Sequence, residues 1–176
     1  ISSVFAIAAL IQAPTTAIAQ ASGSFRLFLS VYRCPVVDRL ERIFGTGDAS
    51  STRDRFLAVT VPEHPHGYVQ CMFYDHQTKL LCEASSGFYF SKKDAPRTFR
   101  QSRESIAALG GLGFSTDDSQ GNFRVDRDVA NPPDFNIIAD FILKALHDGY
   151  GARAATNLKF NAPFAPRAST SCIPVS

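Results

Sequence analysis

Two histidines and a cysteine beside a glutamate are the residues whose types and spacing could support chemistry. His64 and His66 flank Pro65 in a short loop, where two imidazoles could hold a metal ion if a third ligand came from elsewhere. Cys82 precedes Glu83, and a thiol beside a carboxylate could act as a nucleophile if folding brought a histidine to it. Such a loop is usually a solvated turn, so we expect no catalysis, no cofactor and no bound metal.

A predicted hairpin gives Cys82 a structural role instead. Two β-rich runs, residues 68–74 and 79–86, flank a short polar break. If His76 and Gln77 form a two-residue loop, Cys71 lies directly opposite Cys82, which favours a cross-strand disulfide. A one-residue change in the loop would place Cys71 opposite Glu83 and remove the bond.

The chain has four cysteines, an even number that an exported protein can pair off in three ways. The hairpin favours Cys71–Cys82 and leaves Cys34–Cys172 by elimination. The alternative is buried free thiols, which would suit a chain that stays in a reducing compartment. The spacing lacks the close pairs that zinc sites prefer.

The N-terminus indicates the compartment. Residues 4–13 are an apolar run, and Ala-Ile-Ala at 17–19 resembles a signal-peptidase cleavage pattern. We therefore predict a signal peptide over residues 1–19, a mature chain that starts near Gln20, and a periplasmic or secreted protein. The alternative is a short buried or amphipathic helix. Either way the run is too short for a stable membrane span.

Length and composition fit one domain, predicted over residues 20–163 and followed by an extended tail at 164–176. The chain has 176 residues, of which 45% are hydrophobic and 15 are Phe, which is enough for a sizeable core. Its formal charge of +2 is too small to indicate nucleic acid as a partner.

Periodicity predicts an α+β fold with an antiparallel sheet of about five strands and two or three helices, in the order α-β-β-β-α-β-α-β. The predicted helices lie at residues 35–45, 102–109 and 134–149. The predicted strands lie at residues 55–61, 68–74, 79–86, 122–126 and 155–160. The third strand is expected to continue or bend through residues 87–90, and residues 24–32 could form a strand or the start of the first helix. Asp38, Arg39, Glu41 and Arg42 are expected to face water.

Aromatic side chains are the best candidates for binding. Strand alternation puts Tyr68, Gln70, Met72 and Tyr74 on one face, where they could hold a peptide or protein client if that face is uncovered. Tyr89 joins this candidate set because alternation would turn it away from Phe88. The alternative is that these residues only pack in the core.

The order of elements and several short motifs together resemble the type III secretion chaperone-like superfamily, which includes the YbjN-like and TY-chaperone domains. The resemblance covers roughly residues 35–163. The motifs are Tyr-Val-Gln at 68–70, Cys-Glu-Ala-Ser-Ser at 82–86, residues 109–114, Asn-Phe at 122–123, the helix at 134–150 and the short strand around 158–162.

This resemblance implies a compact α+β domain, often dimeric, that binds peptide or protein clients and catalyses nothing. Our first hypothesis is an exported, chaperone-like binding module that holds its client on the sheet face or in a homodimer groove. The alternative is a small envelope enzyme or metal-binding protein centred on His64, His66 and Cys82. A structural envelope domain without a ligand is a third option.

Overall fold

The computed structural model describes residues 15–64, 66–90 and 101–172, which form a five-stranded antiparallel sheet with helices on one face. The helices are α1, α2 and α3, at Thr15–Gly45, Arg103–Gly111 and Phe135–Lys144. The strands are β1 to β5, at Phe56–Val61, Gly67–Tyr74, Lys79–Ala84, Phe123–Asp128 and Lys159–Asn161. The sheet order is β4-β3-β2-β1-β5, so the predicted α+β class and element order are confirmed.

Strict alternation gives the sheet two different faces. In β2 the odd-numbered residues from Gly67 to Phe73 are buried, and the even-numbered residues are only partly covered. The buried residues of β1, β2 and β3 pack against α1 and α3 to form the core. From the strands the core takes Leu57, Val59, Val61, Val69, Cys71, Phe73, Leu80, Cys82 and Ala84. From the two helices it takes Phe28, Val36, Leu40, Ile43, Ile138, Ile142 and Leu143.

Helix α1 is longer at its N-terminus than the helix predicted from residue 35. Pro35 lies inside the helix instead of in its first turn. Phe28 and Tyr32 continue the four-residue spacing of Val36 and Leu40, and Phe28 is fully buried. Residues 24–32 are therefore helical, because their apolar stripe joins the one after Pro35.

Arg39 is buried, so the prediction that it faces water was wrong. Its guanidinium lies over the ring of Phe160, 4.3 Å from the centroid, and donates to the Pro35 carbonyl at 2.8 Å. Burial lowers the pKa of Arg39, although the neighbouring carboxylate of Asp38 acts in the opposite direction. The side chain joins α1 to β5 through a cation–π contact.

The β2–β3 hairpin has the predicted register, with Cys71 opposite Cys82 and Tyr74 opposite Lys79. The connection between the strands has four residues instead of two. Its residues 75–77 all have positive φ angles, between 49° and 68°. This left-handed run directs Gln77 back to α1, where its amide donates to the Phe44 carbonyl at 2.6 Å.

Chain direction changes at short turns and capped helix ends. Phe88–Phe90 form a 3₁₀ turn, so of the two alternatives predicted after the third strand, the chain bends here instead of continuing as a strand. Asp134 caps α3 by accepting from the backbone N–H groups of Asn136 and Ile137. Helix α3 then continues into a π-helical turn, Ala145–Gly149, which contacts α2.

The structure contains both favoured disulfides. Cys71–Cys82 joins β2 to β3, and Cys34–Cys172 joins α1 to a 3₁₀ turn at Thr170–Cys172. The Asp38 carboxylate accepts from the Ser169 backbone N–H at 3.0 Å and holds this segment on α1 as well. Burial opposes ionisation, but hydrogen bonds from Ser169 and Arg42 outweigh it and lower the pKa of Asp38.

The predicted signal peptide lies mostly outside the described residues, and only its residues 15–19 fall in α1. Within the described ranges, no helix combines the length and apolar character needed to cross a bilayer.

Candidate client-binding surface

The candidate surface is the open face of the sheet, defined by the strand residues that point away from the described helices. Tyr68, Gln70, Met72 and Tyr74 all lie on this face, as the alternation predicted, and each is partly covered by its neighbours. A role for them in holding a client stays a prediction.

An apolar row crosses three strands of the open face. Met72 is paired with Phe56 of β1 on one side and with Leu81 of β3 on the other. All three side chains are partly exposed, and Ala58 lies beside them on β1. The sequence interpretation included Met72 but missed Phe56 and Leu81. The hairpin register already places Leu81 opposite Met72, whereas Phe56 requires the β1–β2 register.

Polar and charged residues border the apolar row on β4. Asp126 is paired with Leu81 and accepts a hydrogen bond from the Tyr74 hydroxyl at 2.9 Å. This hydrogen bond is the main cause of a raised Tyr74 pKa. The next pair is Lys79 and Asp128, whose charged atoms lie 2.6 Å apart. The open face therefore has an apolar centre and a charged border, as many protein-binding surfaces do.

Tyr68 and Tyr89 lie near the end of the open face where β3 ends and β4 begins. Asn122 donates its Nδ2 to the Tyr68 hydroxyl at 2.6 Å, while burial raises the pKa of Tyr68. Tyr89 belongs to the Phe88–Phe90 turn, so strand alternation does not set its direction; its side chain is 62% exposed. Its hydroxyl lies so close to Gly121 that an added Cβ there would be 2.9 Å away.

The alternative centre at His64, His66 and Cys82 does not assemble. Cys82 is bonded to Cys71 and is 1% exposed, so it offers no thiolate. The His64 ring packs edge-on against Tyr150 at a centroid distance of 5.3 Å, and His64 precedes the first residue of β2, Gly67, by three residues. A thiol mechanism at this position therefore has no nucleophile.

Within the described ranges, no group of three or more His, Cys, Asp or Glu side chains is placed to hold a metal ion. Asp117, in the loop between α2 and β4, accepts from the Ser119 backbone N–H at 2.9 Å. This is an ordinary side-chain turn contact.

A contact between α1 and the π-helical turn brings together three residue types found in hydrolases. His147 Nε2 lies 3.2 Å from Ser24 Oγ, and its Nδ1 lies 2.6 Å from Asp148 Oδ1. The imidazole is buried against the rings of Phe25 and Phe28. Ser24 lies inside α1, where neighbouring N–H groups donate to helix carbonyls instead of forming an oxyanion hole. We therefore interpret the contact as structural.

Comparison with known proteins agrees with this geometry. A family model described as T3SS (YopN, CesT) and YbjN peptide-binding chaperone 3 matches residues 38–164, close to the range over which the sequence resembles such proteins. No curated protein and no solved structure gives a significant match. The family match covers well over half of the chain. The chain therefore belongs to this TY-chaperone family of peptide-binding chaperones.

Proposed function

We propose that the protein is an exported chaperone-like module that holds a segment of an unfolded protein client on the open face of its sheet. The observation that carries this proposal is the apolar row of Phe56, Met72 and Leu81 on the face away from the described helices. Membership of a peptide-binding chaperone family supports a peptide as the ligand.

The composition of the open face suits weak and reversible binding. Full burial of a large apolar side chain is worth about 1.5–3 kcal/mol, and residues that are already partly covered gain less, about 1 kcal/mol each. Three such residues contribute about 3 kcal/mol, whereas a micromolar affinity needs about 8 kcal/mol of net binding free energy, so other contacts with the client must supply the rest. We therefore expect affinities that are micromolar or weaker. Such a client is held briefly and then released.

Two disulfides support the exported part of the proposal. Cys71–Cys82 and Cys34–Cys172 together use every cysteine of the chain, which is compatible with an oxidising, extracytoplasmic location. Disulfides of this structural kind persist in the periplasm and outside the cell. We therefore expect the clients to be other exported proteins.

The test compares one substitution on the open face with a matched substitution on the helical face. Met72→Glu places a charge in the centre of the apolar row. Ile137→Glu places the same charge at a side chain of α3 that is 66% exposed and far from the open face. Peptides selected from an array of 15-residue segments would be titrated by fluorescence anisotropy. We expect Met72→Glu to weaken binding at least tenfold and Ile137→Glu to leave it unchanged.

Equal effects of the two substitutions, or no peptide binding by the unmodified protein, would contradict the proposal. Light scattering on the same samples distinguishes a client surface from a dimer interface. A dimer that dissociates only in Met72→Glu would assign the open face to self-association instead of client binding. Circular dichroism establishes that both variants are folded before the affinities are compared.

A further inference from the structure

A cavity lies where the open face meets β4 and the loop before it. It has a volume of about 250 Å³. Its lining residues come from β3, β4 and two loops, and they are Glu83, Tyr89, Ser115, Asp117, Gln120, Gly121, Asn122 and Arg124. Glu83 and Arg124 are a cross-strand pair of the open face, one row from Leu81 and Asp126. The cavity therefore lies next to the apolar row on the same face.

The charges around the cavity favour a cation. Glu83 and Asp117 contribute two carboxylates, and Arg124 contributes one guanidinium. Arg124 Nε lies 3.9 Å from Glu83 Oε1, beyond hydrogen-bond distance, and within the described chain Glu83 receives no closer cation. Hydrogen bonds from Ser119 lower the pKa of Asp117, so this carboxylate stays ionised at neutral pH.

An aromatic ring completes the wall. The Tyr89 side chain is 62% exposed, and its hydroxyl end lies close to Gly121. Gly121 has a φ angle of 151°, and a Cβ at this position would lie 2.9 Å from the Tyr89 hydroxyl, so glycine is required for the close approach. Carboxylates beside an accessible tyrosine ring are a suitable environment for an ammonium or guanidinium group.

We propose that this cavity binds a lysine or arginine side chain of the client next to the segment held on the apolar row. The inference rests on the proposed function and adds a rule for client choice. A volume of about 250 Å³ is smaller than most sites for drug-sized ligands and suits one long side chain. Preferred clients would carry a basic residue beside their apolar residues.

The test uses two fluorescein-labelled peptides that differ only in the charge of one side chain. Both are 15-residue sequences of alternating apolar and polar residues, one with a central arginine and the other with citrulline, its neutral analogue. We expect the arginine peptide to bind five- to tenfold more tightly. Glu83→Gln should remove this preference while the affinity for the citrulline peptide stays the same. Tyr89→Leu should reduce the preference two- to threefold.

Two further variants separate a specific site from general surface charge. Asp118→Asn removes an exposed carboxylate beside Asp117 that does not line the cavity, and it should leave the preference unchanged. Arg124→Gln removes the guanidinium that competes for Glu83, and it should tighten binding of the arginine peptide about two- to threefold. A purely structural role for Arg124 would predict weaker binding of both peptides.

The outcomes for the inference and for the proposed function are distinguishable. Equal binding of the arginine and citrulline peptides would overturn the inference and leave the apolar row as the binding surface. An equal loss of affinity for both peptides in Glu83→Gln would also overturn the inference. If neither peptide binds the unmodified protein, the proposed function is wrong and the inference fails with it.

Discussion

Arg55 is a buried cation, and its removal should lower the free energy of unfolding. Its side chain is 1% exposed, and its guanidinium donates to backbone carbonyls at the C-terminal end of α1. Nη2 donates to the Phe44 carbonyl at 2.9 Å, and Nη1 donates to the Thr46 carbonyl. These carbonyls belong to the helix end, where backbone acceptors lack intrahelical donors and positive charge is favourable.

Arg55→Met keeps the aliphatic volume and removes both donors. Hydrogen bonds from a charged group contribute about 1.5–3 kcal/mol each, so two of them contribute about 3–6 kcal/mol. Against this, the Arg55 Nε is buried and finds no acceptor within the described residues, and its loss returns about 1–2 kcal/mol. We therefore expect a net loss of about 1–5 kcal/mol in the free energy of unfolding.

The assay is equilibrium unfolding in urea, followed by far-ultraviolet circular dichroism with the disulfides intact. With a slope of about 2 kcal/mol per molar urea, the expected loss lowers the midpoint by about 0.5–2.5 M. Arg55→Lys keeps the charge but loses the fork geometry, so its loss should be about half as large. Arg53→Met is the control, because its side chain is 90% exposed, and it should cost under about 0.5 kcal/mol. If the urea midpoint of Arg55→Met lay within error of that of the control, the stabilising role assigned to Arg55 at the end of α1 would be refuted.

Two further predictions concern the compartment and the acid limb of stability. The intact mass of the protein from its native host should be that of a chain beginning near Gln20, and all four cysteines should become alkylated only after reduction. Free thiols together with a mass that retains residues 1–19 would contradict export. Burial opposes ionisation of Asp148, but hydrogen bonds from Lys144 and His147 outweigh it and lower its pKa. Because the folded pKa lies below the unfolded one, Asp148 stabilises the fold above about pH 4 and loses this contribution as pH falls. Asp148→Asn should make the free energy of unfolding less dependent on pH in this acidic range. An unchanged pH dependence would show that other carboxylates control it.

Local pattern predicted most of the fold. Helix α3 was predicted from the apolar spacing of Ile138 and Ile142 and from the cap at Asp134, because an amphipathic helix has a strong signal in its own residues. The register of β2 and β3 was predicted from a loop at His76 and Gln77, and it placed Cys71 opposite Cys82 as the structure does. Both features depend on residues close together in the chain.

The missed features depend on contacts between distant segments. Arg39 was predicted to face water, and Arg55 is of a residue type that is rarely buried. The burial of Arg39 depends on Phe160, and that of Arg55 depends on the end of α1. The contact of Ser24 with His147 spans 123 residues and has no local signal. The cavity is likewise formed by two strands and two loops, so only the assembled sheet reveals it.

The Cys71–Cys82 disulfide connects the stability of the hairpin to the proposed binding surface. Both cysteines point into the core, and their neighbours Met72 and Leu81 form a cross-strand pair on the opposite face. A slip of one residue between β2 and β3 would exchange the two faces, burying Met72 and exposing core side chains. The covalent bond excludes that slip. The disulfide that locks the hairpin register therefore also determines which side chains the open face presents to a client.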